Sequence, residues 1–178
     1  MTGALSSKMT DVTAELDELK STLAAGGLHA ALAFFNDRTP HRFTGVYRYD
    51  GDMLRNVCLF DRFEPEVRRG DDIALEDAYC SIVKETGEML EFVDARTDGR
   101  FPYKPQSPVI SYCGVLLRDA DGNPFGALCH FDPAPCQPRI SDAPLLEAAG
   151  PLLVAAAVAD TNTQQNAGIS PERDRLLI

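Results

Sequence analysis

The 178-residue sequence contains no tryptophan, and aromatic residues make up only 8% of it. Basic residues are also scarce. Seventeen Lys and Arg stand against 27 Asp and Glu, a net charge of -10. Such a balance repels phosphate backbones and anionic lipids, which argues against direct nucleic-acid or membrane-surface binding. No N-terminal stretch has the basic-then-apolar order of a signal peptide. No apolar run is long and unbroken. The most apolar segment, Leu145 to Ala159, is interrupted by Glu147, Gly150 and Pro151, and reads as a buried helix rather than a membrane span. A cytoplasmic location is the expectation. There is no CxxC. The five cysteines, Cys58, Cys80, Cys113, Cys129 and Cys136, are an odd number, which argues against a secreted disulfide framework. Reduced thiols, several of them buried as small apolar groups, are expected instead. Repeats and low-complexity tracts are absent as well.

Apolar residues are 44% of the chain, enough for one domain with an ordinary core. Met9, Val12, Leu16, Leu19 and Leu23 recur at alternating steps of three and four with charged residues between them. That is an a/d seam of about two heptads. Gly26-Gly27 interrupts it, and a second helix is expected over Leu28 to Asn36. Phe43 to Tyr49 and Met53 to Phe60 read as a hairpin around Asp50-Gly51-Asp52, and Asp61 to Asp72 as a charged loop. Glu76 to Thr86 has helical spacing, with Gly87 placed to stop it. Leu90 to Val93 is a short strand. Asp94 to Pro108 holds three prolines and a glycine and must be mostly loop. A last helix starts near Ser141 or Asp142, either of which can cap it, and Pro151 is expected to kink it. After Asp160 the chain turns polar and reads as a loose tail.

The most informative run is Ser111 to Asp132, SYCGVLLRDADGNPFGALCHFD, two apolar strands around a turn rich in Asp, Gly and Asn. If Leu117 pairs with Phe125, Cys113 faces Cys129 and Tyr112 faces His130. A cross-strand disulfide between the two cysteines is then conceivable, although two small core residues are the plainer reading. Neighbours Cys129 and His130 point to opposite faces of a strand, so they do not readily share one metal ion. His130 with Asp132 alone is too small a set for structural zinc. No metal site is assigned, and nothing resembles a catalytic set.

The order helix, hairpin, helix, strand, long loop, hairpin, helix implies an α+β domain with an antiparallel sheet. That order, the closing hairpin DADGNPFG followed by ALCHFD, and the run DAYCSIVKETGEMLEFVDA together resemble the GAF domains of signalling proteins over about Leu28 to Ala159. The resemblance implies a central antiparallel sheet with the terminal helices on one face. On the other face, a pocket is covered by the middle helix and the long loop. The implied organisation is an N-terminal dimerisation helix (1–27), a GAF-like domain (28–161) and a flexible tail (162–178). The cover is expected to carry Tyr79, Cys80, Phe92 at its edge, Arg100 and Tyr103, and the sheet to offer Tyr112 and His130. Arg96, Arg100, Tyr103 and Lys104 suggest a carboxylate or phosphate at the mouth, set against a merely solvated loop.

The resemblance implies sensing or regulation through a small molecule, acting through a homodimer or a partner protein, and names neither ligand nor cofactor. Covalent bilin attachment is disfavoured, because Cys80 is followed by Ser81 rather than His. One enzymatic branch, the free methionine-R-sulfoxide reductases, uses cysteine chemistry. The runs AYCSI and SYCGV lack that branch's Gly-Cys-Gly-like motif and its Ser-Glu pair. The ordered residue set of cyclic-nucleotide GAF domains is missing too. The rivals to a sensory module are therefore a thiol-based reductase of that kind and an interaction module with a vestigial pocket.

Overall fold

In the computed structural model, residues 3–138 and 140–166 are described, with the backbone alone for residues 3–11 and 164. Helix α1 spans Gly3–Asn36 but is two helices in conformation. Gly27, at φ 71° and ψ -163°, breaks it where the glycine pair predicted a break. Strands β1 (Phe43–Asp50) and β2 (Met53–Asp61) form the first hairpin. A two-residue strand β3 (Ile73–Ala74), not anticipated from the sequence, caps the edge of β2. A 3-10 turn (Leu75–Asp77) leads into helix α2 (Cys80–Thr86), where one longer helix from Glu76 was expected. Gly87 ends α2 in the left-handed conformation at φ 69°, as its position implied.

Strand β4 (Leu90–Phe92), the hairpin β5 (Ser111–Arg118) with β6 (Pro124–Asp132), and helix α3 (Ala143–Asn166) follow. The six strands form one antiparallel sheet in the order β3-β2-β1-β6-β5-β4. The fold is thus the expected α+β arrangement. Helix α3 continues through Pro151 and on to Asn166, beyond the point where a tail was expected. The remainder of that segment lies outside the described residues. By length and composition Ala143–Thr163 would suffice to cross a membrane. Its Leu146, Ala149, Leu153 and Ala157 are instead buried in the protein's own core.

The sheet separates two cores. Under α1 and α3 lie Val46, Cys58, Cys113, Val115, Leu117 and Leu128. On the other face Phe43, Tyr47, Leu59, Tyr112, Cys129 and Phe131 pack with Tyr79, Cys80 and Val83. The N-terminal seam takes part in the first core. Leu19 is fully buried, and Val12, Leu16 and Leu23 pack against the same cluster. The seam therefore covers its own domain, an outcome that competes with the expected dimer interface. The side chain of Met9 lies outside the described residues.

The register of the closing hairpin corrects the expected one. Next to the turn, Arg118 pairs with Pro124, as the expected register requires. The register then shifts between Leu117 and Arg118, so Leu117 pairs with Gly126 and Phe125 is the extra residue. From there Cys113 faces His130, Gly114 faces Cys129 and Tyr112 faces Phe131. A shift of one residue reverses which face each side chain of one strand meets. The Cys113–Cys129 and Tyr112–His130 pairs are therefore not formed. All five cysteines are free thiols, and all but Cys136 are buried.

Candidate functional site

A cavity of about 450 Å³ lies between the sheet and its cover. Its sheet wall is Tyr47, Leu54, Tyr112, Cys129 and Phe131. Ala78, Tyr79 and Cys80 close it from the start of α2, and Gln106 to Val109 close it from the long loop. Asp71, Asp72 and Ile73 form the remaining side. The size falls within the range of small-molecule sites, as does the mix of apolar walls and a few polar groups.

Two glycines seat the tyrosines of the sheet wall. A Cβ on Gly114 would sit 2.2 Å from the hydroxyl oxygen of Tyr112, and one on Gly45 would sit 2.8 Å from the ring of Tyr47. Both rings lie flat along their own strands because the residue two positions away has no side chain. Phe92 stacks on Tyr112 with centroids 5.7 Å apart, and Tyr79 meets Phe92 edge-on at 4.8 Å. The backbone N–H of Lys104 donates to the Tyr79 hydroxyl at 3.2 Å and so ties the long loop to the cover. The Tyr49 hydroxyl donates to the carbonyl of Cys80 at 2.9 Å.

The thiol of Cys80 lies 3.2 Å from the Tyr112 hydroxyl, in contact with the thiol of Cys129. Hydrogen bonding from Cys129, and then from Tyr112, holds the Cys80 thiol below its ordinary pKa despite burial. The Cys129 thiol is pushed up, first by its bond to Cys80 and then by burial. Burial also raises the phenols of Tyr47 and Tyr112 well above their usual range.

Of the residues expected at the site, Tyr79, Cys80 and Tyr112 line the cavity, and Phe92 backs the Tyr79 and Tyr112 rings. Arg100 and Tyr103 do not line it. Arg100 is held by Asp98 at 2.7 Å and by the carbonyl of Glu91, and Tyr103 is 43% exposed. Arg96 pairs with Asp94 at 2.7 Å, and Lys104 bonds to the carbonyl of Glu76. The loop's cations are thus spent within the protein, and among the described residues no Lys or Arg lines the cavity. The expected anion-holding mouth is replaced by a rim that carries Asp71 and Asp72. Asp72 itself accepts from Arg55 at 3.2 Å and from the Asn56 N–H at 2.9 Å.

His130 is the clearest correction, because the Phe125 bulge turns it to the helix face. There its Nε2 donates to Asp142 at 3.0 Å, and its Nδ1 accepts from the Thr44 hydroxyl at 2.7 Å. Asn36 donates to Thr44 at 3.0 Å and so leaves the Thr44 proton for His130. Asp142 also accepts from Arg38 at 3.1 Å, and Arg38 in turn pairs with Glu15. The carboxylate expected to cap α3 instead joins β6 to both terminal helices. Cys129 on the cavity wall is the immediate neighbour of His130 in this chain of bonds.

The sequence did not mark Cys129, Phe131 and Asp71 as site residues. A glycine two positions from a tyrosine, in both Gly45–Tyr47 and Tyr112–Gly114, is a local signal for the two wall tyrosines. Among the described residues, no group of three or more His, Cys, Asp or Glu is placed to hold a metal ion.

No protein-family model matches the sequence, and no curated protein matches it. Its fold is similar to solved structures. A GAF sensor protein from Burkholderia vietnamiensis superposes with a TM-score of 0.57 at 20% identity, over 85% of this chain and 96% of that one. The GAF domain of an Acinetobacter phosphoenolpyruvate-protein phosphotransferase gives 0.55 at 15% identity, over 90% and 97%. A type II free methionine-R-sulfoxide reductase from Thermoplasma acidophilum gives 0.56 at 18% identity, over 79% and 96%.

Proposed function

Since this chain has the GAF fold, we propose that it is a sensory or regulatory module that binds a small organic molecule in the cavity beneath α2 and the long loop. The observation that carries this is the cavity itself, about 450 Å³ with aromatic walls whose Tyr47 and Tyr112 rings lie over Gly45 and Gly114. The lack of a basic lining group among the described residues and the presence of Asp71 favour an aromatic ligand that is uncharged or cationic. Occupancy is read out through β6. A ligand pressing on Cys129 displaces its neighbour His130, and with it the Asp142 and Arg38 contacts of α3 and α1. A partner protein or a second copy of the chain then senses the helices. A homodimer remains part of the proposal, through the outer faces of α1 and α3, where Val158 is exposed. Sedimentation of the full chain tests it, and a monomer at micromolar concentration removes it. The free thiols suit the reducing cytoplasm.

Native mass spectrometry of the purified full chain tests the reading, followed by thermal shift with a panel of aromatic amines and matched aromatic acids. Val109→Trp, at the loop side of the cavity, should abolish binding without touching the sheet. A chain that retains no small molecule and is stabilised by none of the panel would sink the proposal. Free methionine-R-sulfoxide reduction is the second reading, because a reductase of that type shares the fold. Turnover of the sulfoxide with a thioredoxin system would establish it.

A further inference from the structure

The cavity wall holds chemistry that ligand binding does not use. Cys80 begins α2, Cys129 lies in the middle of β6, and both open onto the cavity. The fold brings them together through two glycine-dependent features. Gly114 faces Cys129 across the β5–β6 ladder, and the Tyr112 hydroxyl lies over Gly114. That places the phenol beside both sulfurs, 3.2 Å from Cys80. Helix α2 packs directly on β6, so the two cysteines belong to neighbouring elements.

We propose that Cys80 and Cys129 form a peroxide-reactive dithiol facing the cavity, with Cys80 as the attacking sulfur and Cys129 as the resolving one. The oxidant is a small hydroperoxide that enters through the cavity. The Cys80 thiolate attacks one peroxide oxygen; an S–O bond forms, the O–O bond breaks, and the second oxygen leaves and takes up the thiol proton as water or alcohol. Cys129 then attacks the sulfenic sulfur. The S–S bond forms, the S–O bond breaks, and a water leaves with the Cys129 proton. Two thiols are oxidised and one peroxide is reduced. Hydrogen bonds from Tyr112 and Cys129 stabilise the thiolate at Cys80, the form that reacts. The other buried thiols lack this arrangement. Cys58 is pushed up to about 12 by burial, and Cys113 is raised by burial on the helix face. The resulting disulfide ties the cover to the sheet and couples the cavity to peroxide.

The test uses the reduced full chain carrying Cys136→Ser, which removes the most exposed thiol. It is treated with a small excess of hydrogen peroxide, and the remaining thiols are alkylated in denaturant before non-reducing peptide mapping. The expected result is a Cys80–Cys129 linked peptide with Cys58 and Cys113 still free. Cys129→Ser should stop at a Cys80 sulfenic acid that dimedone traps. Tyr112→Phe should slow Cys80 oxidation roughly fivefold, the worth of one hydrogen bond. Cys80 reacting no faster than Cys113, or a linkage between any other pair, overturns the proposal. The mapping of the Cys136→Ser chain decides alone if the Cys129 variant does not fold.

Discussion

Lowering the pH should destabilise this protein through His41. The imidazole is buried and stacks on His130 with centroids 5.9 Å apart and planes 13° apart. Its Nδ1 bonds the Thr39 hydroxyl at 2.6 Å, while its Nε2 has no hydrogen-bond partner among the described residues. Burial, with smaller contributions from His130 and Arg62, lowers its pKa from 6.5 to about 4, and Asp132 opposes the shift. The folded-state value lies below the unfolded one, so the unfolded chain binds more protons between them. The penalty is absent above the unfolded pKa of about 6.5, grows as the pH falls, and is complete below about 4. Linkage puts it at about 2 kcal/mol by pH 5 and about 3 kcal/mol in full. Urea unfolding at pH 7.5, 6 and 5 on the native chain and on His41→Gln checks this. Carboxylates titrate in both proteins, so the difference between the two curves isolates His41. The native chain should lose about 2 kcal/mol more than the variant between pH 7.5 and 5. Parallel curves would refute the reasoning, because they would mean that the buried ring charges without cost.

Asp142→Asn removes the carboxylate that accepts from both His130 and Arg38. It should cost about 2 kcal/mol in a thermal melt, since bonds to charged groups are the stronger ones. Gly114→Ala drives a methyl group into the Tyr112 hydroxyl. It should destabilise by about 1–3 kcal/mol, as overpacking does, and reduce binding of any cavity ligand in the thermal-shift panel. Cys113→Ala leaves a small void beneath α3 and should cost about 1 kcal/mol, while the small molecule retained in native mass spectrometry is unchanged.

The order of elements was legible in the sequence because local chemistry sets it. Gly27 and Gly87 adopt the positive φ that only glycine takes at low cost, and both breaks fall where the sequence places them. The aromatic and β-branched residues of FTGVYRY and the apolar run of ALCHFD mark strands wherever those strands end up. The closing hairpin and the middle helix carried the resemblance to GAF domains, and the fold agrees with it. Tyr79, Cys80 and Tyr112 could be placed near the cavity because their elements could be.

Tertiary structure alone decided the rest. Inserting Phe125 as a bulge has no local signal, yet it moves His130 to the helices and brings Gly114 opposite Cys129. A hairpin's register follows from how the whole sheet packs, and two registers one residue apart share almost the same local propensities. The loop cations looked available because a sequence lists charges without their distant partners. Beyond the local pairs with Asp98 and Asp94, folding sets Arg100 against the Glu91 carbonyl and Lys104 against that of Glu76. The N-terminal seam had the period of a dimer helix, but that period states only that one face is apolar. Whether Leu19 meets a second chain or its own core depends on the turn at Gly27 and on where α3 lies, which no helical spacing encodes.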